Sequence, residues 1–297
     1  MADIAATFSR LIRFTPTSSP ATILIGEPVD PNLDIGLAVL NGTEVSVSVY
    51  SGSSVLTPGT KTDKLETVHK LLSPLAQNEV GTIRCIGLNY VSHAREMNID
   101  IPTVPTLFLK PETALSDPFP KSTTILPKIT QVDGTGDYES EMAIIIGRDC
   151  KDVSEANALD YVLGYTASND VSSRTSQMNQ TQWCFSKGFD GSCPLGPVLV
   201  SSNTIKDVSK LRIRGLKNGV VMQESTPLTD LIFSVEKIVS FLAQGTTLKA
   251  GTVILTGTPP GVGAAKTPKE FLRSGDEFRV EISGGVGTLV SRFEDQV

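Results

Sequence analysis

Acidic residues are the first candidates for chemistry in this sequence. Glu139 and Glu141 stand two apart at the start of the apolar run 142–146, and residues two apart on a strand point to one face. Asp170 follows a second apolar run and can reach the same point. Two like charges on a covered face need a cation to stay ionised, and three oxygen ligands without Cys or His suit Mg²⁺ or Mn²⁺. The spacing alone favours an exposed strand end, the usual location of glutamate.

A histidine and a glutamate form the second candidate pair. His93 and Glu96 are three residues apart, so on a short helix, for which we predict Ser92 as the cap, they can hydrogen-bond across one face. A histidine oriented by a carboxylate can act as a general base or activate a water. Taken alone, the pair also fits a solvated helix surface.

Three cationic or amide side chains and one loop complete the candidates. Arg174 and Gln177 come soon after Asp170, and Lys187 precedes a glycine; these side chains can bind a carboxylate or stabilise an enolate. The loop 256–263 combines prolines with glycines and can present Thr258 and backbone N–H groups to an anion. In isolation the cations fit a solvated surface and the loop fits a tight turn.

Composition excludes several functional classes. The 297 residues contain 26 Lys+Arg against 32 Asp+Glu, a net charge of −6 without a basic cluster, which argues against a nucleic-acid partner. No apolar stretch is long enough for a membrane span, and no secretory leader pattern opens the chain. The four cysteines form no CxxC pair, so we expect neither zinc nor disulfides but a reducing, cytoplasmic location. A weak amphipathic pattern around Arg10 and Arg13 leaves a mitochondrial location open.

The elements that must position these side chains are mostly strands. We predict a small β-rich lobe over residues 1–80 and a larger domain over 81–297, whose strand-rich pattern without βαβ alternation favours a mixed, barrel-like β-roll with few helices. In the small lobe, 36–40 is predicted as a strand entering an Asn41-Gly42 hairpin, and 65–72 as a helix. Further helices are predicted over 155–161 and 235–243, each opened by a serine.

Six segments, in order along the chain, resemble the fumarylacetoacetate hydrolase family: GLNYVSHAREM, LFLKPETAL, DYESEMAIIIGR, YVLGYTASNDVSSR, GPVLV and LTGTPPGVG. The resemblance covers residues 83–293. It implies a mixed β-roll behind a small N-terminal lobe, assembled as a homodimer. It also implies that Glu139, Glu141 and Asp170 hold Mg²⁺ or Mn²⁺.

The resemblance also implies roles for the remaining candidates. We expect three catalytic residues, His93, Glu96 and Lys187, of which the first two match the family's lid pair. We expect three substrate-binding residues, Arg174, Gln177 and Thr258. Departures surround them: Arg174-Thr-Ser-Gln177 replaces Arg-Asp-x-Gln, and Gly191 replaces the threonine of Lys-x-Phe-Asp-Thr. These changes leave the metal ligands intact but alter the pocket, so the substrate does not transfer by analogy.

The function predicted from the resemblance is a divalent-metal enzyme for a small 2-oxo or 1,3-dioxo acid, acting through an enolate held by the cation. Tautomerisation or decarboxylation of oxaloacetate is favoured, because residues 257–263 and 269–275 resemble the oxaloacetate tautomerase branch. Two alternatives stay open: a C–C bond hydrolase of acylpyruvate or fumarylacetoacetate type, and a non-catalytic metal-dependent binding protein.

Overall fold

Strands dominate the computed structural model, which describes residues 7–225 and 228–297. The predicted mostly β fold with few helices is confirmed. The strands are β1 (Arg10–Pro16), β2 (Leu24–Pro28), β3 (Ser46–Tyr50), β4 (Lys61–Leu72), β5 (Ile83–Gly87), β6 (Thr106–Lys110), β7 (Leu115–Ser116), β8 (Thr124–Leu126), β9 (Gly136–Asp137), β10 (Ser140–Ile146), β11 (Val162–Asn169), β12 (Ser172–Ser173), β13 (Cys193–Ser201), β14 (Ile213–Lys217), β15 (Val220–Ser225), β16 (Val253–Leu255), β17 (Glu277–Ile282) and β18 (Gly287–Asp295). The α-helices are α1 (Ile35–Leu40), α2 (Gln77–Val80), α3 (Val91–Glu96), α4 (Lys128–Asp133), α5 (Arg174–Met178), α6 (Cys184–Lys187) and α7 (Val235–Ala243).

The first four strands close into a small barrel. β1 pairs with both β2 and β4, and β3 joins the other edges of those two strands. β1 also pairs with β13, through Arg10 with Val200 and Leu11 with Leu199, so the barrel continues into the main sheet. The division into residues 1–80 and 81–297 stays a prediction.

Two predictions in the small lobe are wrong. Residues 36–40 belong to helix α1, because the side chain of Asp34 caps it by accepting from the N–H of Leu37, and Asn41-Gly42 ends this helix instead of turning a hairpin. Residues 65–72 belong to strand β4, which pairs with β1 on one side and β3 on the other. Pairing with strands distant in sequence outweighs the local pattern in that segment.

Strand β10 lies inside the main sheet, between β11 and β16. Its alternate residues enter two cores: Met142 and Ile144 pack into one, and Ala143 and Ile145 into the other. Burial on both faces explains why the run 142–146 is continuously apolar. The carboxylates just before this run therefore start inside the protein. A second sheet, in the order β15-β14-β17-β18-β8, packs behind.

Both helices predicted in the larger domain form, but the predicted Ser154 cap is wrong, because its side chain makes no capping hydrogen bond. The Ser234 side chain accepts from the Lys237 N–H at the start of α7, and Gly245 follows its end at φ +66°. Residues Glu155–Tyr161 form a 3₁₀ helix, as do Glu112–Ala114, Val208–Lys210 and Gly263–Ala265. None of the helices in the described part of the chain is long and apolar enough to cross a membrane.

Candidate active site

The three predicted metal ligands meet where β10 begins and β11 ends. These strands are antiparallel, with Glu141 opposite Ser168, and the Asp170 N–H donates to the Glu139 carbonyl at 2.9 Å. Glu139, Glu141 and Asp170 are all buried, and one carboxylate oxygen from each lies within 4.8 Å of the others. The exposed strand-end interpretation of the glutamates is therefore wrong.

Two buried lysines compensate part of this negative charge. Lys187, from α6, places Nζ 2.7 Å from Asp170 Oδ2 and 2.8 Å from Glu139 Oε2. Lys110, the last residue of β6, places Nζ 2.5 Å from Asp170 Oδ1 and 2.8 Å from the Ser192 carbonyl. Lys110 was missed as a site residue, although a lysine closing the apolar strand in LFLKPETAL is a usable signal for a buried cation.

The charges of the three acids are not equally balanced. Burial alone would raise the pKa of Glu139, but Lys187 and Arg174 hold it below its usual value. The pKa of Glu141 is raised well above its usual value by burial and by the charges of Asp170 and Glu139. Among the described residues Glu141 forms no ion pair, and its Oε2 accepts from the Gly257 N–H at 2.6 Å.

This imbalance fits a divalent cation. The donor set consists of hard carboxylate oxygens, which Mg²⁺ and Mn²⁺ prefer. A cation between the three acids would supply the positive charge that Glu141 lacks. The residues present therefore suit the predicted metal.

Arg174 begins helix α5, which the Ser173 hydroxyl caps by accepting from the Ser176 N–H. Its Nε lies 2.8 Å from Asp137 Oδ2 and its Nη1 2.6 Å from Glu139 Oε1. Burial would lower the pKa of Arg174, but Asp137 and Glu139 raise it. Its Nη2 is buried and has no hydrogen-bond partner in the described residues, so the hydrogen-bonding capacity of this nitrogen is unmet.

Asp137 and Gln177 hold this arginine in place. Asp137 is fully buried and also accepts from the N–H groups of Gly263 and Ala264, at 2.8 and 2.9 Å, which ties Arg174 to the glycine-proline loop. Gln177 Oε1 accepts from Arg174 Nη1 at 2.9 Å. Asp137 was missed by the sequence reasoning, because nothing local distinguishes it from a surface acid.

Thr258 is buried in the loop after β16, and its hydroxyl is engaged by the protein. It donates to the Ser140 carbonyl at 3.0 Å and accepts from Gln223 Nε2 at 2.7 Å. The Gln223 Oε1 in turn accepts from the Ser140 N–H at 2.9 Å. With its hydrogen committed to Ser140, Thr258 contributes to the cavity mainly by fixing the loop against β10.

The predicted dyad forms on α3. His93 Nδ1 lies 2.9 Å from Glu96 Oε2, and both carboxylate oxygens of Glu96 accept from the Gly261 N–H. Burial would raise the pKa of Glu96, but His93 and this N–H hold it below its usual value. A carboxylate only accepts, so Nδ1 carries hydrogen and Nε2 is left as the basic nitrogen. The predicted Ser92 cap is wrong: Ser92 lies inside the helix and its hydroxyl bonds Asp230.

A cavity of about 750 Å³ connects these groups. Seven of the nine predicted site residues line it: His93, Glu139, Glu141, Arg174, Gln177, Lys187 and Thr258. Asp170 is completely buried and lies outside the lining, as does Glu96 beside the Gly261 N–H. We call the three acids together with the three cations beside them the charged pole: Lys110, Glu139, Glu141, Asp170, Arg174 and Lys187.

The sequence as a whole matches a known protein family. Residues 82–294 match the fumarylacetoacetate (FAA) hydrolase C-terminal domain. The chain belongs to this family. It is 41% identical to caffeoylpyruvate hydrolase of Neonothopanus nambi over 300 aligned positions, covering 100% of this chain and 96% of that protein. It is 34% identical to a mitochondrial oxaloacetate tautomerase of Bos taurus over 281 positions, covering 94% and 81% of the two chains.

Solved structures of the family share its fold. The fumarylacetoacetate hydrolase of Exiguobacterium antarcticum superposes with a TM-score of 0.79 at 27% identity, covering 97% of this chain and 100% of that one. The 2-hydroxyhepta-2,4-diene-1,7-dioate isomerase of Mycobacterium marinum superposes with a TM-score of 0.77 at 30% identity, covering 97% and 99%. The predicted family and fold are confirmed, and the chain is an enzyme of this family.

Proposed function

We propose that this protein is a divalent-metal-dependent hydrolase that cleaves a C–C bond in 2,4-dioxo acids, the acylpyruvates. The observation that carries the proposal is that Glu139 and Glu141 of the three-carboxylate cluster line the same cavity as His93, the base of the dyad. The full-length similarity to a caffeoylpyruvate hydrolase supports the same reaction class.

Glu139, Glu141 and Asp170 would hold the cation, Mg²⁺ or Mn²⁺. When bound, such an ion supplies Lewis-acid polarisation of the oxygens of a 2-oxo acid. Arg174 contributes its unpartnered Nη2 to the substrate carboxylate, in a position maintained by Asp137 and Gln177. The positive charge of Lys187 stabilises negative charge that develops on the three-carbon fragment during cleavage.

His93 takes a proton from water through Nε2, while Glu96 stabilises the imidazolium that results. The hydroxide oxygen bonds to the 4-carbonyl carbon, and the C3–C4 bond breaks with its electron pair staying on C3. C3 then receives the proton. The balance is one acylpyruvate anion plus one water giving one carboxylate, one pyruvate and one proton.

Keto–enol tautomerisation of oxaloacetate, or its decarboxylation, is the second candidate. The similarity to an oxaloacetate tautomerase over 94% of this chain favours it. It needs the same cation and the same proton transfer at C3, but no water attack. Within the described residues His93 has a hydrogen-bond partner at Nδ1 alone, and a base with Nε2 free in this way serves either reaction.

The deciding experiment supplies acetylpyruvate and oxaloacetate separately, with Mg²⁺ or Mn²⁺, and follows acid release, CO₂ release and enol absorbance in parallel. Acid release from acetylpyruvate that stops with EDTA supports the hydrolase. Enol or CO₂ signals from oxaloacetate without acid release from acetylpyruvate overturn it in favour of the second candidate. Homodimer assembly and a cytoplasmic location stay predictions for this chain.

A further inference from the structure

Part of the cavity lining is apolar and exposed. Met97, Ile99 and Met178 line the cavity while 36%, 50% and 80% exposed, respectively. Pro102 and Trp183 line the same cavity. We call Met97, Ile99, Met178 and Trp183 the apolar mouth. Exposed apolar side chains that converge on a cavity are typical of a surface that a ligand covers.

Trp183 is held in a defined position. A Cβ on Gly87 would lie 2.5 Å from Trp183 Cζ3, so the indole packs directly on the bare backbone of β5. Phe108 contacts the indole edge to face, with ring centroids 5.4 Å apart. A preorganised indole beside two methionines can make favourable contacts with a flat ring, because thioether sulfur and aromatic edges both attract aromatic rings.

The size and charge of the cavity also favour a ligand with a large apolar group. About 750 Å³ is in the range that encloses a drug-sized ligand, whereas a four-carbon diacid leaves most of it unfilled. Outside the charged pole and His93, the charged residues in the lining are Asp100 and Lys269, whose charges are opposite. The apolar mouth therefore offers apolar contact area, and the charged residues near it carry no net positive charge that would attract a second carboxylate of the substrate.

We propose that the apolar mouth is the acyl-group subsite and selects acylpyruvates with an aromatic acyl group, with Met178, Ile99 and Trp183 as specificity-determining residues. The inference rests on the proposed function, because it takes the charged pole as the site of the 2-oxo acid end. The aromatic ring then covers Met178 and Ile99 and stacks beside the indole.

A binding experiment tests this without turnover. Trp183 is the sole tryptophan of the chain, so its fluorescence reports directly on the mouth. The probes are 2-oxo-4-phenylbutanoate, 2-oxopentanoate and 2-oxoglutarate, titrated with saturating Mg²⁺; none has the 4-oxo group that cleavage needs. We expect the phenyl compound to bind at least about tenfold tighter than either other probe, as burial of one ring implies. Tighter binding of 2-oxoglutarate, or equal binding of all three, overturns the inference.

Substitutions of Met178 and Ile99 test whether these residues cause the preference for the phenyl compound. Met178→Gln and Ile99→Gln keep side-chain size but add an amide, and we expect each to reduce the phenyl preference about threefold or more. Met178→Leu keeps the apolar surface and should retain the preference. Leu65→Gln is the matched control, because Leu65 is 64% exposed on β4 and does not line the cavity. A phenyl preference that survives both glutamine variants overturns the assignment.

The two proposals fail separately. A protein that prefers the phenyl probe but releases no acid from any acylpyruvate contradicts the hydrolase and retains the apolar subsite. A protein that hydrolyses acetylpyruvate with no phenyl preference retains the hydrolase and contradicts the subsite.

Discussion

The charged pole and the apolar mouth meet at one cavity, and they are built differently. At the pole, Lys110 and Lys187 each hold Asp170, and Arg174 is held from two sides by Asp137 and Gln177. At the mouth, Met178 and Ile99 are largely exposed. Charges buried in low dielectric must be paired, so the pole is rigid, whereas apolar side chains at the rim can adapt to a ligand. Under the proposed function, the pole therefore determines the chemistry and the mouth determines the substrate.

The largest expected effect distinguishes two acids of the pole. Glu141 would serve only as a metal ligand, whereas Asp170 also neutralises two buried lysines. Glu141→Gln should abolish Mn²⁺ binding and reduce turnover at least about a thousandfold, since Lewis-acid stabilisation is worth several kcal/mol and each 1.36 kcal/mol is tenfold. It should not lower stability, because Glu141 lacks a cationic partner and Gln can still accept from Gly257. Calorimetric Mn²⁺ titration and urea denaturation measure both. The comparison variant Asp170→Asn should lose roughly 3–5 kcal/mol, because it leaves two buried ammonium groups undercompensated. Equal stability losses in the two variants would contradict this distinction.

The second prediction concerns the His93–Glu96 dyad, which is not part of the charged pole. His93→Ala should lower turnover about a hundred- to ten-thousandfold, the range for one positioned base, with Mn²⁺ affinity unchanged. Steady-state kinetics and the same calorimetric titration provide the two readouts. A parallel loss of Mn²⁺ binding would show that His93 acts on the metal site instead of moving a proton.

The third prediction concerns the glycine on which Trp183 packs. Gly87→Ala places a Cβ where the Trp183 ring lies, so the indole must shift. We expect a changed Trp183 emission maximum and a phenyl preference lowered by about threefold to tenfold, with Mn²⁺ affinity retained. An unchanged emission spectrum would mean that the indole does not rest on β5.

The smallest expected effect is a pH dependence of stability. The pKa of Glu96 is held below its usual value by His93 and the Gly261 N–H, although burial opposes this. Its contribution is therefore present above the unfolded pKa of about 4.3 and is lost as pH falls through the lower folded value. The stability difference between the wild type and Glu96→Gln, measured with urea, should be visible at about pH 7 and vanish at about pH 2. A difference that persists in acid would show that the Glu96 contribution is not electrostatic.

Much of the site was predictable because its patterns are local. The two-residue period of a strand places Glu139 and Glu141 on one side, and the three-residue spacing of His93 and Glu96 closes their hydrogen bond within one turn of α3. The same holds for helix α7 between Ser234 and Gly245. Asp170 was a candidate because it follows a second apolar run, and the family resemblance then assigned it to the metal site.

Other features were decided by contacts between distant segments. Lys110 and Asp137 joined the site because β6 and β9 carry them there, and residues 65–72 became a strand because β1 and β3 pair with them. The mouth likewise combines the segment after α3, the end of α5 and Trp183, which packs on Gly87 far away in the chain.

The sequence by itself determined the donor types, the dyad and the mostly β character, since these depend on residue chemistry and short-range periodicity. The tertiary structure decided which charges are paired, where the unpartnered Arg174 Nη2 lies and which apolar side chains line the cavity. The physical reason is that burial and pairing arise only when segments remote in sequence exclude water from one another.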